Sequence, residues 1–295
     1  MDLTSALFLS LSIILGSARN IFSKNISPIP FGERGFFRMQ AAIFIAGLAT
    51  LLLVNPNAFV GLLPLTVLYG AVYAAFSLSS QWFYTIALRR GATSVCATVY
   101  SMGFIIPTLV GMIFWGEKVN APKIIGIIVV IPALIISGMR DSGKNSIKKS
   151  SSNIAFILPM ILAMLSAGTV GIIQKLQQRS ATISGQTSAM IIITFIICSV
   201  TSVICSIIAK PTEIKGIRIK TLCAAGAGVC FASCNLLNTL LAGMLDGTVL
   251  YPILNIGIIM LTMLLGMLFF KEKFGWRQAA VIALGASSIL LITLS

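Results

Sequence analysis

Residues 93–118 read TSVCATVYSMGFIIPTLVGMIFWGEK, and residues 248–273 read TVLYPILNIGIIMLTMLLGMLFFKEK. The second stretch follows the first at a constant offset of 155 positions with no gap. At that offset Thr93, Leu109, Gly111, Met112, Phe114, Glu117 and Lys118 meet Thr248, Leu264, Gly266, Met267, Phe269, Glu272 and Lys273. Each stretch is an apolar run of the length that crosses a bilayer, about 20 residues. An apolar chain with a weak internal repeat is the pattern of a secondary transporter whose solute site lies between its halves.

Composition agrees with a membrane setting. Apolar residues make up 57% of the chain and charged residues 9%, and mean hydropathy is +1.01; a soluble domain is about one quarter charged. The net charge of +14 falls mostly in short loops, where basic residues mark the cytoplasmic face and meet anionic headgroups. It therefore points to membrane lipids and not to nucleic acid. All six cysteines lie within apolar runs, away from the loop positions of a disulfide framework. Cys230 and Cys234 share a helix face, but the chain has no histidine, so they read as small packing residues and no metal or cofactor is expected. No basic residue precedes the first apolar run and no small-residue cleavage site follows it, so that run is predicted to be a transmembrane helix and not a signal peptide.

Ten spans are predicted, at about 3–22, 36–54, 61–88, 92–115, 121–139, 153–174, 187–209, 219–243, 247–270 and 276–294. Breakers such as Asn55-Pro56-Asn57, Arg89-Arg90-Gly91, Asn120-Ala121-Pro122 and Lys210-Pro211 separate them. Backbone groups in lipid must bond internally, so helices joined by short turns are the expected architecture. The longest polar stretch follows the fifth span. It divides the chain into a first repeat over 1–140, a basic linker over 141–152 and a second repeat over 153–295. An odd number of spans per half inverts the second half relative to the first. The expected fold is all-α and polytopic: ten transmembrane helices as two inverted five-helix repeats.

Loops after the odd-numbered spans hold sixteen basic residues, from Lys24 to Arg277, against four (Lys118, Lys123, Lys175 and Arg179) on the other side. This bias places the odd-numbered loops in the cytoplasm and both termini outside.

The order Ala87-Leu88-Arg89-Arg90-Gly91-Ala92-Thr93-Ser94-Val95, Tyr100-Ser101, Pro107 and Gly116-Glu117-Lys118-Val119 resembles the EamA-like family of the drug/metabolite transporter superfamily. So do the second copy, Lys271-Glu272-Lys273-Phe274-Gly275-Trp276, and the first-helix ending Ser17-Ala18-Arg19-Asn20-Ile21-Phe22-Ser23-Lys24. The resemblance covers essentially the whole chain. It implies a ten-helix inverted-repeat carrier in the plasma membrane, moving a small organic solute such as an amino acid or other metabolite, often as an exporter. Two departures stand out. Members commonly have cytoplasmic termini, opposite to the charge bias here, and the small multidrug branch uses a first-helix glutamate that this chain lacks.

Polar groups inside spans are costly and are functional candidates by default. None of the seven carboxylates (Asp2, Glu33, Glu117, Asp141, Glu213, Asp246, Glu272) lies mid-span, so facilitated diffusion or exchange is simpler than proton coupling. Arg19 offers a planar fork for a carboxylate or phosphate, or else snorkels to the headgroups; the same two readings apply to Lys175. Gln81, Tyr84, Tyr100, Asn235, Asn238, Tyr251 and Asn255 complete the candidate solute-binding set with Arg19. Asn235 with Asn238, and Tyr251 with Asn255, share helix faces that serve a solute or interhelical hydrogen bonds. Glu117 and Glu272, at helix ends beside lysines, suit a loop ion pair or a cap, with gating the alternative. With no histidine, no intramembrane carboxylate pair and no P-loop, neither an enzyme nor an ATP-driven pump is expected. A channel or a lipid-handling scaffold is the alternative to a carrier.

Overall fold

The structure is a computed structural model and describes residues 2–26, 33–88, 93–117, 119–138, 154–211, 216–270 and 275–294. The described residues are helical with short turns, apart from one isolated bridge between Glu33 and Lys210. The helices are α1 (Leu3–Ile26), α2 (Arg34–Val54), α3 (Pro64–Leu88), α4 (Thr93–Ser101), α5 (Ile105–Phe114), α6 (Ala121–Gly138), α7 (Ile154–Arg179), α8 (Thr187–Ile208), α9 (Ile217–Met244), α10 (Gly247–Phe270) and α11 (Trp276–Thr293). Every predicted span coincides with a helix, or in one case with two. The fourth span is broken into α4 and α5 by a 3-10 turn at Met102–Phe104. That break puts Pro107 in the first turn of α5, where its missing N–H costs little, whereas Pro132, Pro159 and Pro252 lie inside continuous helices.

Seven spans among the described residues are both long and apolar enough to cross a membrane, fewer than the ten expected. The shortfall has two physical sources. The helix α3 is 25 residues long, but Ser77, Ser79, Ser80 and Gln81 lower its hydropathy. Helices α6 and α11 are 18 residues each, which at 1.5 Å per residue is marginal for a hydrocarbon core of about 30 Å.

The chain forms two compact units that interleave along the sequence: unit one comprises Ser79–Ile172 with Leu245–Ser295, and unit two Asp2–Leu78 with Ile173–Met244. The chain thus passes between units within α3, within α7 and at the α9–α10 junction. In unit two, α9 packs on α1 and α2, and α2 packs on α8. Here α2 and α8 run antiparallel, since the Arg34 backbone N–H and side chain donate to the carbonyls of Lys210 (3.0 Å) and Ile207 (3.3 Å). A Cβ on Gly228 would lie 2.1 Å from the Ile43 carbonyl oxygen, so the α2–α9 crossing is backbone on backbone and needs glycine there. Phe44, Phe195 and Phe231 fill the space beside that crossing, with ring centroids 5.6–6.1 Å apart, in the tilted and edge-on arrangements aromatic quadrupoles favour.

In unit one, α6 packs on α11 and α10 packs on α5, α6 and α11. Buried Val130, Ala133 and Leu134 of α6 and Val281 and Ile292 of α11 belong to its core, and Ser288 donates across the pair to the Gly126 carbonyl at 2.8 Å. Large apolar side chains that remain exposed, such as Leu53, Ile113, Phe114, Ile208 and Leu222, suit hydrocarbon and not water.

Candidate functional site

Unit two carries a polar network through its apolar helices. Tyr73 of α3 donates its hydroxyl proton to the Asn235 side-chain oxygen of α9 (2.5 Å) and accepts from the Gln174 amide of α7 at 3.0 Å. The Asn235 side-chain N–H in turn donates to the Phe231 carbonyl at 2.7 Å. One turn on, Asn238 accepts from the Ser12 hydroxyl of α1, and Ser12 also lies 3.3 Å from the Cys234 sulfur. Four helices are thereby cross-linked by neutral groups, each with a partner, as burial away from water demands. Arg19 stands on the α1 side of α9 with its guanidinium carbon 3.9 Å above the Phe231 ring. Stacking uses the face of the guanidinium, whereas its N–H groups form hydrogen bonds in the plane.

Lys175 is 5% exposed, although it is one turn from the end of α7 at Arg179. Its side chain is therefore enclosed by protein. Just beyond it, Gln177 donates to the Ile183 carbonyl, and the Gln178 amide donates to the Gln177 side-chain oxygen at 2.7 Å and to Thr187. These bonds pin the α7–α8 turn.

In unit one, Tyr84 of α3 and Tyr100 of α4 pack with tilted rings, 4.7 Å between centroids, against a cluster of Ala87, Cys96, Phe156, Met160 and Ala163. Gln81, one turn before Tyr84, is half-buried, and its carbonyl accepts from Thr85. Tyr251 of α10 is buried and donates to the Gly171 carbonyl of α7 at 2.6 Å. Asn255 donates to the Ser101 carbonyl at 2.9 Å. The Ile105 N–H turns back to the Met102 carbonyl in the 3-10 turn and not to Ser101, so the break in the fourth span presents the carbonyl that Asn255 uses.

Glu117 resolves as a cap. Gly116 turns the chain with φ +62, a left-handed conformation that glycine adopts without strain. The Glu117 carboxylate then accepts the backbone N–H groups of Gly247 (2.8 Å) and Thr248 (2.9 Å) at the start of α10. Those amides have no intrahelical acceptor, and the helix dipole favours a negative charge there. Nearby, Lys123 and Asp246 approach to 3.9 Å. Lys118, Glu272 and Lys273, named with Glu117 in the ion-pair reading, lie outside the described residues.

The eight candidate residues thus fall in two groups. Arg19, Asn235 and Asn238 belong to unit two, with Asn235 and Asn238 joined through Tyr73 and Ser12 to other helices. Gln81, Tyr84, Tyr100, Tyr251 and Asn255 belong to unit one. Interhelical hydrogen bonding, one of the two expected uses of the amide and phenol faces, occurs at Asn235, Asn238, Tyr251 and Asn255. Sequence reading missed Ser12, Tyr73 and Gln174. Gln174 and Tyr73 satisfy the rule that selected Asn235, a polar group within an apolar helix. Ser12 offered no such signal, because a helical serine ordinarily bonds its own preceding turn. Among the described residues no group of three or more His, Cys, Asp or Glu side chains could hold a metal.

No family profile matches the chain, and no curated protein matches it. One solved structure, described only as "Crystal structure of protein", is similar in fold: TM-score 0.78 at 15% identity, over 100% of this chain and 98% of that one. At that identity the likeness concerns the fold alone. The chain is an all-helical protein with several spans suited to a multi-pass membrane protein.

Proposed function

We propose that this protein is a secondary carrier of the EamA-like kind, built from two inverted five-helix repeats in the plasma membrane. It moves a small organic solute, such as an amino acid or other metabolite, and acts as an exporter. The observation that carries the reading is the pairing of helices within each unit. The 155-residue offset equates α2 with α8, α6 with α11, and α4–α5 with α10, and helices so equated pack on one another. Alternating access then proceeds by rocking of the two inverted five-helix repeats around a midplane cavity. Arg19, Gln81, Tyr84, Tyr100, Asn235, Asn238, Tyr251 and Asn255 are the proposed solute-contacting residues, with Arg19 recognising charge. A bond that an amide now makes to a neighbouring helix can be exchanged for one to a solute at little net cost.

The test is metabolite profiling of cells and medium with empty vector, parent and Arg19→Ala, followed by flux of the identified solute into proteoliposomes. Saturable flux with counterflow supports a carrier. Non-saturating flux indicates a pore, and no solute flux of any kind removes the transport reading.

A further inference from the structure

We infer that the exposed face of α9 seats an anionic phospholipid, with Arg218 and Thr221 taking its phosphate and the stripe from Leu222 to Val229 an acyl chain. This goes beyond the carrier reading and does not rest on it. A groove of about 440 Å³ opens on that face, lined by Ile217, Arg218, Thr221, Leu222 and Ala225. Arg218 and Thr221 are exposed and three residues apart, so their side chains are neighbours on the helix. A guanidinium grips a phosphate with two parallel N–H groups, and a threonine hydroxyl donates to a further oxygen.

Beyond these two groups the same face turns apolar. Arg218, Leu222, Ala225 and Val229 succeed one another at helical steps of four, three and four, which keeps them in one stripe. Leu222 is 74% exposed and Val229 41%, so in a bilayer both stand against hydrocarbon. From Arg218 to Val229 the helix rises about 16 Å, close to half the thickness of a hydrocarbon core of about 30 Å. A cation followed by one leaflet's depth of apolar side chain matches the order of groups in a phospholipid.

Charge complementarity selects the anionic class. Ser12 meets Cys234, and a Cβ on Gly226 would lie 3.2 Å from the Phe22 ring, so α1 runs antiparallel to α9 and brings Lys24 to the Arg218 end. Arg34 bonds to Lys210 through the backbone. Helix α8 ends at Ile208 and α9 begins at Ile217, a connection too short to run back along either helix. Lys24, Arg34, Arg38, Lys210, Arg218 and Lys220 thus gather at one end of unit two, with Glu33 the one carboxylate among the described residues there. Such a surface attracts anionic headgroups and gives a zwitterionic headgroup no net attraction.

The experiment measures thermal unfolding of the purified full chain in neutral detergent, titrated with dioleoyl phosphatidylglycerol, dioleoyl phosphatidylcholine or inorganic phosphate. Phosphatidylglycerol is expected to raise the unfolding temperature saturably, and the other two to leave it unchanged. Arg218→Gln is expected to weaken that binding about tenfold, as loss of a charged hydrogen bond does. Arg38→Gln removes an exposed basic residue at the same end but outside the groove, and is expected to bind like the parent. No response to phosphatidylglycerol, or an equal response to phosphatidylcholine or to phosphate alone, overturns the inference. So does parent-like binding by Arg218→Gln. An equal loss in Arg38→Gln would mean diffuse attraction to the charged end and overturns the groove as the site.

Discussion

The carboxylate of Glu117 accepts the backbone N–H of Gly247 at 2.8 Å, so the last residues of the first repeat copy hold the first turn of the second. The bond is charge-assisted and is accompanied by a second one from Thr248 at 2.9 Å. Glu117→Gln keeps the shape and loses the charge. It is expected to lower stability by about 1–2 kcal/mol, read as a fall in unfolding temperature in detergent. Unchanged melting would mean that α10 does not depend on this cap.

Tyr251 and Gly171 form a comparable link within unit one, at 2.6 Å, and Gly171 stands next to the residue at which α7 leaves that unit. Tyr251→Phe removes the donor without changing the packing. A stability loss of about 1 kcal/mol is expected, measurable as a shifted melting curve of folded protein on size exclusion.

Tyr73 and Gln174 are expected to be energetically coupled. A double-mutant cycle with Tyr73→Phe and Gln174→Leu should return about 0.6 kcal/mol, the scale of interhelical hydrogen bonds in membrane proteins. Additive losses would show that the network does not act as a unit.

Gly228 has no room for a side chain, because its Cβ would meet the Ile43 carbonyl oxygen at 2.1 Å. Gly185 has no neighbour within 4 Å at the same test. Gly228→Val should therefore abolish recovery of monodisperse protein while Gly185→Val is recovered like the parent, a contrast that fluorescence-detected size exclusion reads directly.

Orientation is open to measurement as well. Sixteen basic residues in the odd-numbered loops against four opposite them put both termini outside the cytoplasm. Reporter tags at each end check this, and cytoplasmic signals from both would refute the charge count.

Local chemistry made the helices legible. The run from Gly247 to Phe270 was delimited to the residue because an apolar stretch bounded by charge needs no partner to be recognised. The fourth span was legible as a span but not as two helices, since the 3-10 turn at Met102–Phe104 depends on what α4 and α5 pack against. The candidate polar residues were chosen by type, and type alone could not tell that Asn235 would meet Tyr73 or that Asn238 would meet Ser12, residues 162 and 226 positions away.

Hydropathy and breakers, which act over a few residues, determined that the chain is helical, which segments form its spans, and that its pattern occurs twice. Only the tertiary structure decided that Lys175 is enclosed by protein, that Glu117 caps α10, and that the compact units interleave along the chain. These outcomes depend on which distant backbones and side chains come within a few ångströms, and hydrogen bonding and burial are set by that proximity, not by neighbours in sequence.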